Sequence, residues 1–317
     1  MSAADIRDIS DRLKVLKDAL VKSYPSKVVE NFNIGSRTTY RVGGNAAVTF
    51  VYGDCEELDA VSKILDECEV PIFVLGAGSN VLISDKGFAG LCLIADEKFK
   101  RVKTQDADTS HPLVKASGSV MLPSLARKLA ALGISGFQWA VGIPGTVGGS
   151  IKTNAGGHGS QTVNTLVEVE IFDLGSGLVK TVMTEDLDLR YRFSNLANNQ
   201  VVMSATHKLE IGDSRELKRE IGEIVKWRRE NQPGGQNAGS VFVNPPDRSA
   251  GQIIDELGLK SYRIGTAEVS SKHGNFIQAD KNGKASDVYS LINYLIEIVK
   301  DKTGYELKPE LKLIGFN

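Results

Sequence analysis

The sequence predicts an α+β protein. Helical stripes and strand runs fall in segregated blocks, which points to mixed sheets in separate domains. Two glycine-rich stretches lack the long helix that a doubly wound dinucleotide fold places after its first loop. Glycine supplies 32 of 317 residues, and the glycines cluster at Gly43-Gly44, Gly76 to Gly78, Gly142 to Gly159 and Gly234 to Gly239. Such clusters mark backbone that turns sharply or lies close to a ligand.

Taken in order, Ile6, Ile9, Leu13, Leu16 and Leu20 form one stripe of an amphipathic helix expected over 4–22. Val48 to Tyr52 reads as a strand. Leu58, Val61, Ile64, Leu65 and Cys68 form a second helical stripe, and Pro71 to Leu75 is a short buried strand running into glycines. Leu122, Leu125, Leu129 and Leu132 mark a helix with Pro123 near its start and Gly133 past its end. Leu166 to Phe172 and Leu178 to Val182 are strands joined as a hairpin by Asp173-Leu-Gly-Ser-Gly177, and Val201 to Leu209 is another strand. Asp213-Ser214 opens a helix carrying Leu217, Ile221, Ile224 and Val225. Val288 to Val299 is the last helix, ending near Gly304, and the alternation of Leu307, Leu311 and Leu313 predicts one closing strand. Three consecutive domains are expected: 1–70, 71–212 and 213–317.

Composition excludes several function classes. With 38 basic and 39 acidic residues the formal charge is -1, so no bulk field draws in nucleic acid or an anionic membrane. Cys55, Cys68 and Cys92 lie far apart, and the four histidines show no ligand spacing, so neither a disulfide framework nor a metal site is expected. The N-terminus is not a secretory signal, and no apolar run reaches the roughly 20 residues of a membrane span. A cytoplasmic protein is expected.

Leu75-Gly-Ala-Gly-Ser-Asn-Val-Leu82 follows a strand, and its glycines let backbone N–H groups face an anion. Gly76 and Gly78 match the start of a dinucleotide fingerprint and Asp96 lies where a ribose-binding acid would. However, Val81 takes the third glycine position, and Ile83 to Phe88 has no helical period. Gly142-Ile-Pro-Gly-Thr-Val-Gly-Gly149, continued by Asn154-Ala-Gly-Gly-His-Gly159, fixes an unusual path that suits either a pyrophosphate or close sheet packing. Two phosphate-cradling loops without a Walker lysine suit a domain that holds FAD between two α+β lobes.

Thr39-Tyr-Arg-Val-Gly-Gly44, Gly76-Ala-Gly-Ser-Asn80 and Gly142-Ile-Pro-Gly-Thr-Val-Gly-Gly149 resemble the three FAD-domain motifs of the UDP-N-acetylenolpyruvoylglucosamine reductases, the UDP-N-acetylmuramate dehydrogenase family. Tyr191-Arg-Phe-Ser194, Ala238-Gly-Ser-Val-Phe-Val-Asn-Pro245 and Leu307-Lys-Pro-Glu-Leu311 resemble three further motifs, in the family's order. The resemblance runs from about residue 30 to 316, in the shorter form of the family that lacks an inserted tyrosine-bearing loop. It implies a two-lobed flavin domain like that of the vanillyl-alcohol oxidases, plus a C-terminal α+β substrate domain. It also implies non-covalent FAD, NADPH as hydride donor, and a monomer acting on a nucleotide-sugar substrate in peptidoglycan precursor synthesis.

By the same resemblance Arg192, Ser240 and Glu310 are catalytic. The cofactor residues are Gly76, Ala77, Gly78, Ser79, Asn80, Gly142, Ile143, Pro144, Gly145, Thr146, Gly148, Gly149, Asn154 and Gly156. Tyr191, Arg228 and Asn244 face the substrate. The chemistry suits those residue types. Reducing an enol ether that bears a carboxylate builds enolate-like charge, which a guanidinium such as Arg192 stabilises through two parallel hydrogen bonds. The carbanionic carbon then needs a proton from a positioned acid, the role of Ser240, while Glu310 orients the carboxylate region. Spacing alone reads these residues differently. Arg192 looks like a surface residue, Ser240 a cap, and Glu310 a member of a solvated strand face with Lys308 and Lys312. Gly157, Ser261 and Thr266 depart from the family's usual residues. Two other readings stay open: an oxidase on the same scaffold, with His158 as a tether for flavin, and a binding protein without turnover.

Overall fold

The first helix, α1 (Ile9–Ser23), starts where the Asp8 carboxylate accepts the Ser10 N–H and buries Leu13, Leu16 and Leu20. The computed structural model describes residues 8–105 and 109–316, so the part of the expected helix over 4–7 lies outside the described residues. Helix α2 (Cys55–Cys68) is capped by Asp54, and its first turn carries Glu56 and Glu57 as its dipole favours. Arg12 of α1 donates to the Glu69 carbonyl at the other end of α2 (3.1 Å). These two helices share a core with Val48, Phe50, Leu91 and Leu93 of a four-stranded sheet. The strand order in that sheet is Val28–Phe32, Ala46–Tyr52, Phe88–Ala95, Ile72–Val74.

A second core is built on a five-stranded antiparallel sheet, in the order Leu178–Met183, Leu166–Asp173, Gln200–Lys208, Leu113–Ser117, Val102–Gln105. The expected hairpin forms, with Asp173 Oδ1 accepting the Gly175 and Ser176 N–H groups. Helix α3 (Leu122–Ala131) begins with its proline and packs Leu122, Leu125 and Leu129 on this sheet. Helix α4 (Val147–Thr153) adds Val147 and Ile151. Helix α5 (Ser214–Asn231), capped by Asp213, adds Leu217 and Ile221.

The third core belongs to the C-terminal residues. Helix α6 (Ala250–Glu256) starts with a reciprocal Ser249–Gln252 capping box. Helix α7 (Ala285–Thr303) buries Val288, Leu291, Ile292, Leu295 and Val299 and ends at Gly304, φ 77°. They pack with a small sheet of Arg263–Ile264, Ala267–Val269 and Ile277–Ala279. Early residues belong to this core as well. Tyr40, Val42 and Leu82 lie in it, Val81–Ile83 pairs in parallel with Lys312–Ile314, and both Asp85 carboxylate oxygens accept the Ala285 and Ser286 N–H groups at the start of α7.

The chain therefore gathers into two units that are not consecutive in sequence. One is Met1–Glu30, Ala47–Ala77 and Ala89–Lys226; the other is Asn31–Ala46, Gly78–Phe88 and Trp227–Asn317. Three consecutive segments, 1–70, 71–212 and 213–317, describe the chain differently. The long-range pairings of residues 81–85 draw early chain into the second unit, and α5 starts at Ser214 and runs across the division at Lys226 and Trp227. Two expectations need correction. The single closing strand is two short ones, Lys308–Pro309 against Phe242–Val243 and Lys312–Ile314 against Val81–Ile83, because the chain changes partner at Glu310. The glycine stretch also hides α4, whose first turn is Val147-Gly-Gly-Ser150.

Candidate active site

In the first unit the two glycine stretches meet. A methyl group at Gly76 would lie 2.8 Å from Thr146 Oγ1, the oxygen that caps α4 by accepting the Gly149 N–H (3.2 Å). The loop after Val74 leaves its strand at Leu75, whose N–H still reaches Leu93 O. The backbone N–H groups of Gly76 and Ala77 here, and of Gly78 to Asn80 where the chain passes into the second unit, donate to no acceptor among the described residues. That row of spare donors is what an anion requires. The other stretch behaves differently. The N–H groups of Gly145, Val147 and Gly148 reach Ile143 O, Val120 O and Gly118 O, so they are spent within the protein. What Gly148 supplies is closeness, since a Cβ there would sit 3.2 Å from Gly118 O. Two buried polar atoms nearby in sequence, Ser119 Oγ and Trp139 Nε1, have no hydrogen-bond partner among the described residues. Sequence reasoning missed both, because one serine and one tryptophan carry no spacing signal.

Arg192 sits on a tight turn. Arg190 and Phe193 exchange both backbone hydrogen bonds at 3.1 Å, and Arg192 takes φ 57° at the third position of the turn. Tyr191 and Phe193 on either side are exposed, whereas Arg192 is half-buried and its Nη2 donates to Gly156 O (3.3 Å). Gly156 opens a hairpin turned by His158 and Gly159, both at positive φ. The Asn154 side chain, 1% exposed, is spent on protein partners. Its Oδ1 accepts the Val163 N–H, and its Nδ2 donates to Arg190 O and Gln161 Oε1.

In the second unit Gly78 takes φ 63°, and its carbonyl accepts the Thr39 N–H (3.0 Å). A Cβ at Gly78 would meet Thr38 Cα at 2.7 Å. Ser240 and Glu310 lie on neighbouring backbones, since the Glu310 N–H donates to Val241 O (2.8 Å). The Asn80 amide holds the other side of Glu310 by donating to its carbonyl (3.1 Å), and Asn80 O accepts the Lys312 N–H. Glu310 is half-buried, whereas Lys308 and Lys312 are exposed, so Glu310 is not a member of a uniformly solvated strand face. The half-buried Ser240 makes no side-chain hydrogen bond with the described residues. Asn275, buried and missed by sequence reasoning, pins the chain after Ser240. Its amide pairs with both backbone groups of Phe242, and its carbonyl accepts the Val241 N–H. Asn244 Oδ1 accepts the Ala250 N–H at the start of α6.

Arg228, Arg229, Gln232, Pro233, Gly234 and Lys272 line a recess of about 240 Å³. Lys272 Nζ donates to Arg229 O and Arg228 Nε to Gln232 Oε1, both at 2.7 Å. Burial lowers the pKa of Arg228. A guanidinium nonetheless stays charged at neutral pH, so the recess is basic.

Two family models match consecutive parts of the chain. Residues 46–182 match the FAD binding domain, and residues 231–314 match the C-terminal domain of UDP-N-acetylenolpyruvoylglucosamine reductase. A relative of that name from Synechococcus sp. (strain RCC307) is 38% identical over 285 residues, covering 89% of this chain and 92% of its own. One from Caldanaerobacter subterraneus is 34% identical over 308 residues, covering 96% and 97%. The chain belongs to the UDP-N-acetylenolpyruvoylglucosamine reductase family. The crystal structure of such a reductase from Thermus caldophilus superposes with a TM-score of 0.77 at 32% identity, covering 90% of this chain and 98% of that one.

Membership of this reductase family brings FAD, and the residues fit it. In the first unit the spare N–H donors of Gly76 and Ala77, the glycine that a Cβ would push into Thr146 and the Ser119 Oγ with no partner among the described residues leave polar atoms still to satisfy. Two departures from the reductase pattern also find an account. Nothing lies within 4 Å of a Cβ placed on Gly157, so the missing side chain leaves open space. Thr266 donates through N–H and Oγ1 to Asp287, and its Oγ1 accepts the Lys284 N–H, so it ties down the start of α7.

Proposed function

We propose that this chain reduces UDP-N-acetylenolpyruvoylglucosamine to UDP-N-acetylmuramate, with NADPH as reductant and Arg192, Ser240 and Glu310 as catalytic residues. The observation that carries the reading is the half-buried Ser240 hydroxyl, which makes no hydrogen bond with the described residues, on the segment beside the one that carries Glu310. The six motifs in family order support it.

The chemistry that FAD supplies when bound is hydride transfer, from NADPH and on to the methylene carbon of the enolpyruvyl group. The Arg192 guanidinium binds the carboxylate, where charge builds up next to the carbon that gains no hydride. Ser240 Oγ delivers a proton to that carbon, and its own proton is restored from water. Glu310 orients the carboxylate end of the substrate. Tyr191 and Asn244 contact the nucleotide sugar, and Arg228 in its basic recess takes the diphosphate. The protein works as a cytoplasmic monomer, which sedimentation of the purified protein tests.

The test is an anaerobic visible spectrum. Flavin that bleaches with NADPH and recolours on addition of the enolpyruvyl nucleotide sugar establishes both half-reactions. Ser240→Ala should keep its flavin and bleach with NADPH, yet recolour at least 100-fold more slowly. Normal recolouring in that variant overturns the role of Ser240. Recolouring of the parent with oxygen alone favours the oxidase reading.

A further inference from the structure

Arg192 is a residue held in an unfavourable backbone. For an L-residue with a side chain, the left-handed region is disfavoured because Cβ crowds the following carbonyl oxygen. The third position of such a turn ordinarily takes Gly or Asn. Strain of this kind persists only where surrounding structure over-determines it. Tyr191 is 54% exposed and Phe193 42%, so the outer side of the turn faces solvent. The restraint comes from beneath.

That restraint has two parts, both at the C-terminal end of α4. Asn154, itself at φ 41°, spends its whole amide there: Oδ1 takes the Val163 N–H at 3.1 Å, and Nδ2 donates to Arg190 O at 3.1 Å. Arg190 O is the same carbonyl that closes the turn with the Phe193 N–H. Ser194, just past the turn, donates from Oγ to Lys152 O at 2.9 Å, and Lys152 Nζ returns a hydrogen bond to Leu196 O. Asn154 and Ser194 are 1% and 6% exposed, so their hydrogen bonds are shielded from competing water.

We propose that Asn154 and Ser194 are positioning residues for Arg192: they clamp the Arg190–Phe193 turn onto the end of α4, so that the guanidinium is fixed beside Gly156 in an otherwise disfavoured backbone. The inference rests on the reading of Arg192 as the group that meets the substrate carboxylate. It departs from the expectation that the Asn154 amide serves the cofactor. Neither residue touches substrate in this account; each acts through the placement of Arg192.

The test uses the FAD-loaded enzyme and its separate half-reactions. Asn154→Asp keeps an oxygen for the Val163 N–H and tolerates the left-handed backbone, but sets an oxygen against Arg190 O. Ser194→Ala removes the other clamp with a smaller change, and serves if Asn154→Asp folds poorly. Each variant should bleach with NADPH within twofold of the parent rate. Each should reoxidise with the enolpyruvyl nucleotide sugar 10- to 100-fold more slowly, and bind that sugar correspondingly less tightly when the oxidised flavin spectrum is titrated. Ser194→Thr should recover most of the rate. In an Arg192→Ala background, adding Asn154→Asp should slow reoxidation no further, because the positioned group is gone. Parent-like reoxidation in both single variants overturns the proposal, as does a full multiplicative loss in the double variant. An Arg192→Ala enzyme that reoxidises at the parent rate has a different meaning: the role of Arg192 fails, and the positioning role fails with it.

Discussion

At single positions the molecule separates glycines that are required from those that are not. Gly78 has φ 63° and a Cβ there would sit 2.7 Å from the backbone of Thr38, whereas Gly157 faces open space at an ordinary φ. Gly78→Ala should therefore cost about 2 kcal/mol or more and impair FAD loading, while Gly157→Ala should change stability by less than about 0.5 kcal/mol. Denaturant titration and flavin absorbance per protein check both. A stable, fully loaded Gly78→Ala protein would show that the loop relaxes around the added methyl. Ser261 is a third case. It stands at φ 63°, so this chain carries a strained serine in an exposed turn.

Among the elements, Gln200–Lys208 carries an unusual burden. His207 on this strand is 1% exposed, packs edge-on against Phe137, and meets Thr165 Oγ1 at 3.0 Å through Nδ1, while its Nε2 has no partner. Burial pushes its pKa down from 6.5 to about 4. The folded protein thus holds the neutral ring, while the unfolded chain takes up a proton below 6.5. Stability is intact above that pH, falls as pH drops through it, and stops falling near the folded value. The full loss is about 3 kcal/mol. Urea unfolding at a series of pH values should show this slope, and His207→Gln should flatten it. An unchanged slope in that variant would assign the pH dependence to other groups.

The elements also show what a sequence displays. α2, α3, α7 and the hairpin at Asp173 were legible because their apolar period, caps and turn residues agree. α4 was not, since seven residues rich in glycine carry no stripe. Phe88–Ala95 was missed because a fully apolar run has no alternation to read. The glycine loops and the residue types of the site were legible through motifs. The partners that hold them, such as Asn275 beside Ser240 and Asn154 beneath Arg192, depend on tertiary proximity that no local pattern encodes.

For the whole molecule, the interleaved second unit has a thermodynamic consequence. Its C-terminal segment leaves strand Lys312–Ile314 without a partner and α7 without its Asp85 cap unless residues 78–88 are present. A fragment of residues 227–317 should therefore show no cooperative thermal transition, while a mixture with the remaining chain should regain one; circular dichroism checks this. Cooperative melting of the isolated fragment would mean that α6, α7 and their small sheet suffice. The same interleaving sets a timetable for biosynthesis. Asn80 and Glu310 are bonded across 230 positions, and the strand at Val81 finds its mate at Lys312–Ile314. As the nascent chain leaves the ribosome, Val81–Ile83 waits with its edge open until residues 312–314 are made. Closure of the second unit thus waits for residues 312–314 to emerge, and the edge that waits is the place where a chaperone does the most good.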